Sequence, residues 1–211
     1  MIKAVIFDMD GVISDSETTN FKAMLKTLSP FSITFDFKYY SRFPGGSCIE
    51  AYETIKRDFD ADFDVNELVN AFNEMRVEIA KTDGWKPVEN AIDTVKYCKE
   101  KYSLALASGS NPHIIKDIMQ AFEIEQYFDS FISGETIEKC KPDPMIFEKS
   151  AAALSVLPNE CVVIEDSKNG VLAAKAAGML CIGYRNVMSG NQDLSHADYI
   201  IDDMADVKNI I

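Results

Sequence analysis

Lys3-Ala4-Val5-Ile6-Phe7-Asp8-Met9-Asp10-Gly11-Val12-Ile13-Ser14-Asp15-Ser16-Glu17 is the stretch that decides the fold. Ala4 to Phe7 are apolar without alternation, and the run stops at a carboxylate. Such a run reads as a strand buried on both faces of a parallel sheet. Asp8 then falls at the strand's carboxyl end, where open α/β sheets place their ligands. A second carboxylate, Asp10, follows two residues later, with Gly11 behind it. Carboxylates this close repel one another unless a cation lies between them. Hard divalent cations such as Mg²⁺ take oxygen ligands of this kind.

The same grammar recurs downstream. Leu104-Ala105-Leu106-Ala107 runs into Ser108-Gly109-Ser110, and Cys161-Val162-Val163-Ile164 runs into Glu165-Asp166-Ser167. Leu180–Gly183 and Asp198–Ile201 read as two further strands. Helical patterns lie between them: Val88, Ala91, Ile92, Val95 and Cys98 share one face, as do Ile114, Ile115, Ile118, Met119 and Phe122. Asn169 to Ala177 is alanine-rich and fits close against a sheet, with Gly178 as its stop. Strands alternating with helices predict an α/β fold with a parallel sheet and right-handed crossovers.

Residues 15–82 break that rhythm. Phe21, Met24, Leu25 and Leu28 recur at helical spacing, and Val65, Leu68, Val69, Phe72, Met75 and Ile79 form a longer stripe. The expected organisation is a core of residues 1–14 and 83–211, with 15–82 inserted as a helical unit above the strand ends. Both stripes read as that unit's own core.

Composition bounds the partners. The chain has 211 residues, 47% of them hydrophobic, and a formal net charge of −13. That charge argues against nucleic acid or an anionic membrane, since both call for a basic face. It leaves room for a small anionic substrate, because a metal and one or two lysines make a local positive pocket in an acidic protein. Apolar runs fall far short of a membrane span. The N-terminal run is cut by Asp8 and Asp10, so no signal peptide is expected. Cys48, Cys98, Cys140, Cys161 and Cys181 are scattered and read as the reduced thiols of a cytoplasmic protein, forming neither a disulfide framework nor a zinc site. His113 and His196 are far apart and offer little to a Ser/His/Asp mechanism.

Lys141-Pro142-Asp143-Pro144 precedes a helix pattern, with Asp143 the expected N-cap and Pro144 the first helical position. Asp8/Asp10, Ser108, Lys141 and Glu165/Asp166 thus stand at four strand-to-helix junctions. In order and spacing these motifs resemble the haloacid dehalogenase superfamily of phosphohydrolases, along the whole chain and with a helical insertion where its first cap type lies. Lys141-Pro142-Asp143-Pro144 and Glu165-Asp166-Ser167-x-x-Gly170 are similar to the branch that holds β-phosphoglucomutase and the sugar-phosphate phosphatases.

The resemblance implies a Rossmann-like core and a Mg²⁺-dependent phosphatase acting on a small phosphorylated metabolite, a sugar or polyol phosphate, through an aspartyl-phosphate. It assigns Asp8 as nucleophile and Asp10 as general acid and then general base. Mg²⁺ would be held by the Asp8 carboxylate, the Asp10 backbone carbonyl and Asp166, with Glu165 a further ligand or one step removed. Lys141, the Ser108 hydroxyl and the Gly109 amide would hold phosphate oxygens. In the loop Ser41 to Cys48, the resemblance implies that Gly45, Gly46 and Ser47 read the leaving group, and Arg42 is the cation near it for a second anion. Asn20 and Ser110 are further candidates for substrate contact. Asn111 stands equally well as a contact or as the cap of the helix it precedes.

Two positions depart from the mutase pattern: β-phosphoglucomutases carry histidine where this chain has Asn20, and arginine where it has Cys48. A mutase must retain and turn a bisphosphate, so both departures favour a phosphatase over the alternative, a phosphohexomutase. A non-enzymatic phospho-acceptor like a response-regulator receiver is opposed by the length of the chain and by Asp10. A degenerate scaffold is opposed by the intact set Asp8, Asp10, Ser108, Lys141 and Asp166. A monomer is expected.

Overall fold

Ala4–Phe7 forms β1, and each of its residues is fully buried. In the computed structural model, which describes residues 1–211, β1 lies inside a six-stranded sheet. The other strands are Ser103–Ser108 (β2), Ser130–Ser133 (β3), Cys161–Glu165 (β4), Leu180–Tyr184 (β5) and Tyr199–Ile201 (β6). Their order is β3-β2-β1-β4-β5-β6, and every neighbouring pair is parallel. From β1 the chain builds outward to β2 and β3, then returns to the other side of β1 for β4, β5 and β6. The strand order therefore reverses at β1, which is where such sheets open a crevice. Phe7 pairs with Leu106 on one side and Ile164 on the other. The carboxyl ends of β1, β2 and β4 are thereby level, and the polar residues after each run share one edge.

Period-two alternation assigns the two faces. Val5, Phe7, Leu104 and Leu106 pack against Ala91–Lys99 (α5) and Pro112–Ala121 (α6). Ala4, Ile6, Ala105 and Ala107 pack against Met145–Ala153 (α7) and Lys168–Ala176 (α8). The Ser167 hydroxyl caps α8 by accepting from the Gly170 amide at 3.1 Å, and Gly178 follows its end at φ 74°. For α7 the expected boundary moves by one residue. Pro144 is the N-cap, and the Asp143 carboxylate accepts from the Met145 amide at 3.1 Å. Sequence reading passed over β3, whose Ser-Phe-Ile-Ser has two apolar residues, one of them the exposed Phe131 at the sheet edge.

Between β1 and α5 the chain is helical: Glu17–Leu28 (α1), Phe37–Tyr40 (α2), Cys48–Asp58 (α3) and Val65–Asp83 (α4). These helices bury their own cluster, which includes Met24, Leu28, Tyr52, Ile55, Phe72 and Ile79. The Asp64 carboxylate caps α4 by accepting from the Glu67 amide at 3.0 Å. One residue breaks the apolar face of α4. Arg76, four after Phe72 and three before Ile79, is only 3% exposed. No helix is long and apolar enough to cross a membrane.

Candidate active site

Asp8 continues the ladder of β1, its amide donating to the Ile164 carbonyl at 3.0 Å. That bond aims its carboxylate past the sheet edge into a cavity of roughly 550 Å³, walled by the strand ends on one side and by α1, α2, α3 and α4 on the other. The Lys141 ammonium lies 2.5 Å from Asp8 Oδ1 and 2.6 Å from Glu165 Oε1. It also donates to the Ala107 carbonyl at 3.3 Å. Glu165 Oε2 accepts from the Ser167 amide at 2.8 Å and the Ser167 hydroxyl at 2.9 Å. Both Glu165 oxygens thus bond to the chain itself, an arrangement that suits the more distant of the two places open to it, one step removed from a cation.

Asp166 accepts from the Ser189 hydroxyl and has no cationic partner. It abuts the Asp8–Asp10 turn. Gly11 has φ +84°, and a Cβ there would fall 2.0 Å from Asp166 Oδ2. Only glycine lets the turn lie this close.

The charges are unbalanced. Burial pushes the Asp8 carboxyl well above its ordinary range; Lys141 opposes the shift and Glu165 adds to it. Asp166 is pushed up by burial, then by Glu165 and Asp8. Burial would lower Lys141, but Asp8 and Glu165 together hold it above its ordinary value. Of three buried carboxylates only Asp8 and Glu165 share the one ammonium, so the donor set fits a hard divalent cation beside Asp8 and Asp166. No three acidic, histidine or cysteine side chains cluster closely enough to hold one unaided. Mg²⁺ suits such a sparse set, because it keeps waters and uses substrate oxygens.

Asp10 is gripped from four directions. Oδ1 accepts from the Ser16 hydroxyl at 2.6 Å and from Arg76 Nη2 at 2.8 Å. Oδ2 accepts from the hydroxyls of Ser110 at 2.7 Å and Ser108 at 3.2 Å. Burial would raise its pKa, but Arg76, followed by the three hydroxyls, holds it below the ordinary carboxylate range. Arg76 also donates to Ser110 Oγ at 3.0 Å, and its Nε finds no partner. Sequence reading missed Arg76; its one signal was a charge seated within a hydrophobic stripe. It also gave no role to Glu17, which is 4% exposed, accepts from the Tyr40 hydroxyl, and is pushed by burial to about 7.

The remaining candidates divide. Gly109, Ser110, Asn20, Gly45, Gly46 and Ser47 line the cavity. Ser108 is fully buried, with its hydroxyl on Asp10 and the Ser110 amide. Gly45 has φ +76° and a Cβ there would meet Ser167 Cβ at 2.3 Å, so the loop rests directly on the start of α8. Asn169 fastens it, donating to the Gly45 carbonyl at 3.2 Å. Arg42 is outside the cavity lining. Asp58 holds it at 3.0 Å and the Tyr39 ring lies 4.4 Å beneath it, and it faces instead a neighbouring pocket of about 350 Å³ that it shares with Gly46, Ser47 and Lys168. Asn111 is likewise absent from the lining. It caps α6 by accepting from the His113 amide at 2.9 Å, and it donates to Glu135 at 2.7 Å.

The chain is similar to known proteins in sequence and in fold. Residues 5–184 match the family model of the haloacid dehalogenase-like hydrolases. The chain is 30% identical to the fructose-1-phosphate phosphatase YqaB of Escherichia coli, over 86% of this chain and 95% of the relative. It is 30% identical to the β-phosphoglucomutase of Bacillus subtilis, over 98% and 92%. In fold it is similar to CbbY from Rhodobacter sphaeroides solved with phosphate, at TM-score 0.88 and 24% identity, covering 98% of this chain and 96% of the other.

Proposed function

We propose, from the premise that this chain belongs to the haloacid dehalogenase-like hydrolase family, that it is a Mg²⁺-dependent phosphatase of small phosphorylated carbohydrates. The observation that carries the reading is Asp8, buried at the strand end with Lys141 at 2.5 Å and Asp166 and Asp10 beside it. Relatives named phosphatases of fructose 1-phosphate and of phosphorylated carbohydrates support the substrate class. We read residues 15–82 as a cap inserted into a core of 1–14 and 83–211.

A phosphate monoester dianion repels a carboxylate nucleophile, so catalysis consists largely of cancelling charge and holding phosphorus in line. Held by Asp8, Asp166 and the Asp10 carbonyl, Mg²⁺ would supply positive charge to the phosphoryl oxygens. Asp8 attacks phosphorus, and the bond to the leaving alcohol breaks. Asp10 gives that alcohol a proton. Asp10 then takes a proton from the water that cleaves the aspartyl-phosphate, which restores Asp8 and frees inorganic phosphate. Lys141 and the Gly109 amide orient the phosphoryl oxygens, with Ser108 set against Asp10. In the arrangement described, Arg76 keeps Asp10 as a carboxylate, ready for the second step. The first step requires that grip to loosen.

The test is phosphate release from a panel of sugar phosphates with Mg²⁺ and with EDTA. Release is expected to fall at least about a hundredfold on chelation. A hexose 1-phosphate isomerised to the 6-phosphate without net release would establish the mutase instead.

Asp10→Asn separates the acid step from the rest. Read in a single turnover as release of the leaving group, before the water step that both esters share, its expected effect is a slowing of at least about a hundredfold for a sugar phosphate and less than about tenfold for p-nitrophenyl phosphate, whose leaving group needs no proton. Equal slowing of both esters removes Asp10 from the acid role.

A further inference from the structure

Beside the catalytic cavity lies the smaller pocket of about 350 Å³, and the loop through Gly46 and Ser47 borders both. Its walls come from two separate parts of the chain. One is Arg42, the loop and the first turns of α3; the other is Lys168 and Asn169 of α8 with Gln192. Amide hydrogen bonds hold the walls in register. Asn169 donates to the Gly45 carbonyl at 3.2 Å, and Gln192 to the Pro44 carbonyl at 3.5 Å.

Each wall brings a cation that the chain leaves short of acceptors. Lys168 is the exposed first residue of α8, and its ammonium makes neither an ion pair nor a hydrogen bond. Its amide donates to Gln192 at 3.1 Å, which anchors the backbone at that point. Arg42 gives Nη2 to Asp58, while its Nε and Nη1 have no acceptor. Among the carboxylates, Glu50 lines the pocket from the first turn of α3. Asp193 feels Lys168, but only after Ser195, whose amide donates to it at 3.1 Å. No carboxylate spans the two cations. Ser47-Cys48-Ile49-Glu50 has the sequence of a capping box, yet the Ser47 hydroxyl caps no amide. That hydroxyl and the opening amides of α3 are left for another partner.

A tetrahedral dianion matches this set. The ammonium meets it as a point charge and the guanidinium as a pair of donors. A neutral ligand would leave both cations uncompensated, and a metal ion would be repelled by them.

We propose that this pocket binds inorganic phosphate between Arg42 and Lys168, apart from the reacting centre, and that the bound ion ties the inserted helices to the core. The site is complete only while the inserted helices rest on the core. The ion therefore favours that arrangement by as much as that arrangement favours the ion. The site stands or falls independently of what is hydrolysed at Asp8.

Backbone amide NMR of the full chain with Mg²⁺, titrated with inorganic phosphate at constant ionic strength, reads the two places separately. The amides of Ser47, Lys168 and Asn169 are expected to shift along a saturating curve distinct from that of Asp8 to Gly11. Lys168→Glu changes an exposed residue outside the catalytic cavity. It should weaken the first curve at least about tenfold and leave the second within about twofold. Saturating phosphate should also slow hydrogen exchange at the Gly46 amide at least about threefold in the native chain, with the effect absent from Lys168→Glu. Three results would overturn the site: no shift at Ser47, Lys168 and Asn169, shifts there that follow the Asp8 curve, or a titration unchanged by Lys168→Glu. Equal slowing at Gly46 in both proteins would overturn the tie between the layers.

Discussion

Asp8→Asn protein is expected to release phosphate from fructose 1-phosphate at least about ten-thousandfold more slowly than the native chain, while unfolding at the same temperature or higher. The amide keeps the shape of the carboxylate and removes the nucleophile. The stability half of the prediction follows from burial. Asp8 has its pKa raised in the fold, so the folded state favours the neutral form. A carboxylate of this kind contributes most in acid, where it is protonated, and progressively less as the pH rises through its raised pKa. Asparagine mimics the neutral form, and Lys141 keeps Glu165 at 2.6 Å as its partner. Rate by phosphate assay and unfolding by circular dichroism check both halves. Near-native turnover would show that Asp8 is not the nucleophile.

Lys141→Met is expected to cost both activity and stability. Its side chain is 10% exposed, and its partners Asp8 and Glu165 are 8% and 1% exposed. Removing the ammonium leaves two buried carboxylates facing each other. Breaking a buried pair from one side typically costs about 3–5 kcal/mol. One carboxyl would then hold a proton, so the deficit should be smallest in acid and grow as the pH rises through the raised carboxyl pKa. Urea unfolding at about pH 5 and about pH 8 reads this slope. Turnover should fall by more than about a thousandfold, since the same ammonium steadies the nucleophile and the phosphoryl oxygens. A variant equally stable at both pH values would mean that Asp8 and Glu165 do not depend on Lys141.

The sheet was legible in the chain wherever a strand is buried on both faces. β1, β2 and β4 announce themselves as unbroken apolar runs that end in polar groups, and register then brings those ends level. β3 was not legible, because an edge strand with one exposed face needs no such run. Asp8, Asp10, Ser108, Glu165 and Asp166 stood out because they end or follow apolar strand runs, where position implies convergence, and Lys141 because prolines fix it just before a helix. Arg76 did not, since its partner Asp10 is 66 positions away and only packing of α4 over the strand ends joins them. Arg42 shows the converse, a residue whose partners could not be read from its neighbours in sequence. Proximity in sequence to a glycine loop suggested a ligand; the fold adds Asp58 and Tyr39 as its contacts and places it on the pocket beside the main cavity. Asn111 had two roles open to it, and the start of α6 claimed its side chain.

The ion pair between Arg76 and Asp10 joins proton transfer to motion. A carboxylate that must carry a proton for one half-reaction is clasped by a guanidinium rooted in a separate layer of helices. Protonation weakens the clasp, and withdrawal of the clasp eases protonation; by thermodynamic reciprocity the two influences are equal in size. On the proposed mechanism, displacement of α4 from the sheet would therefore ease the acid step by as much as protonation of Asp10 eases that displacement.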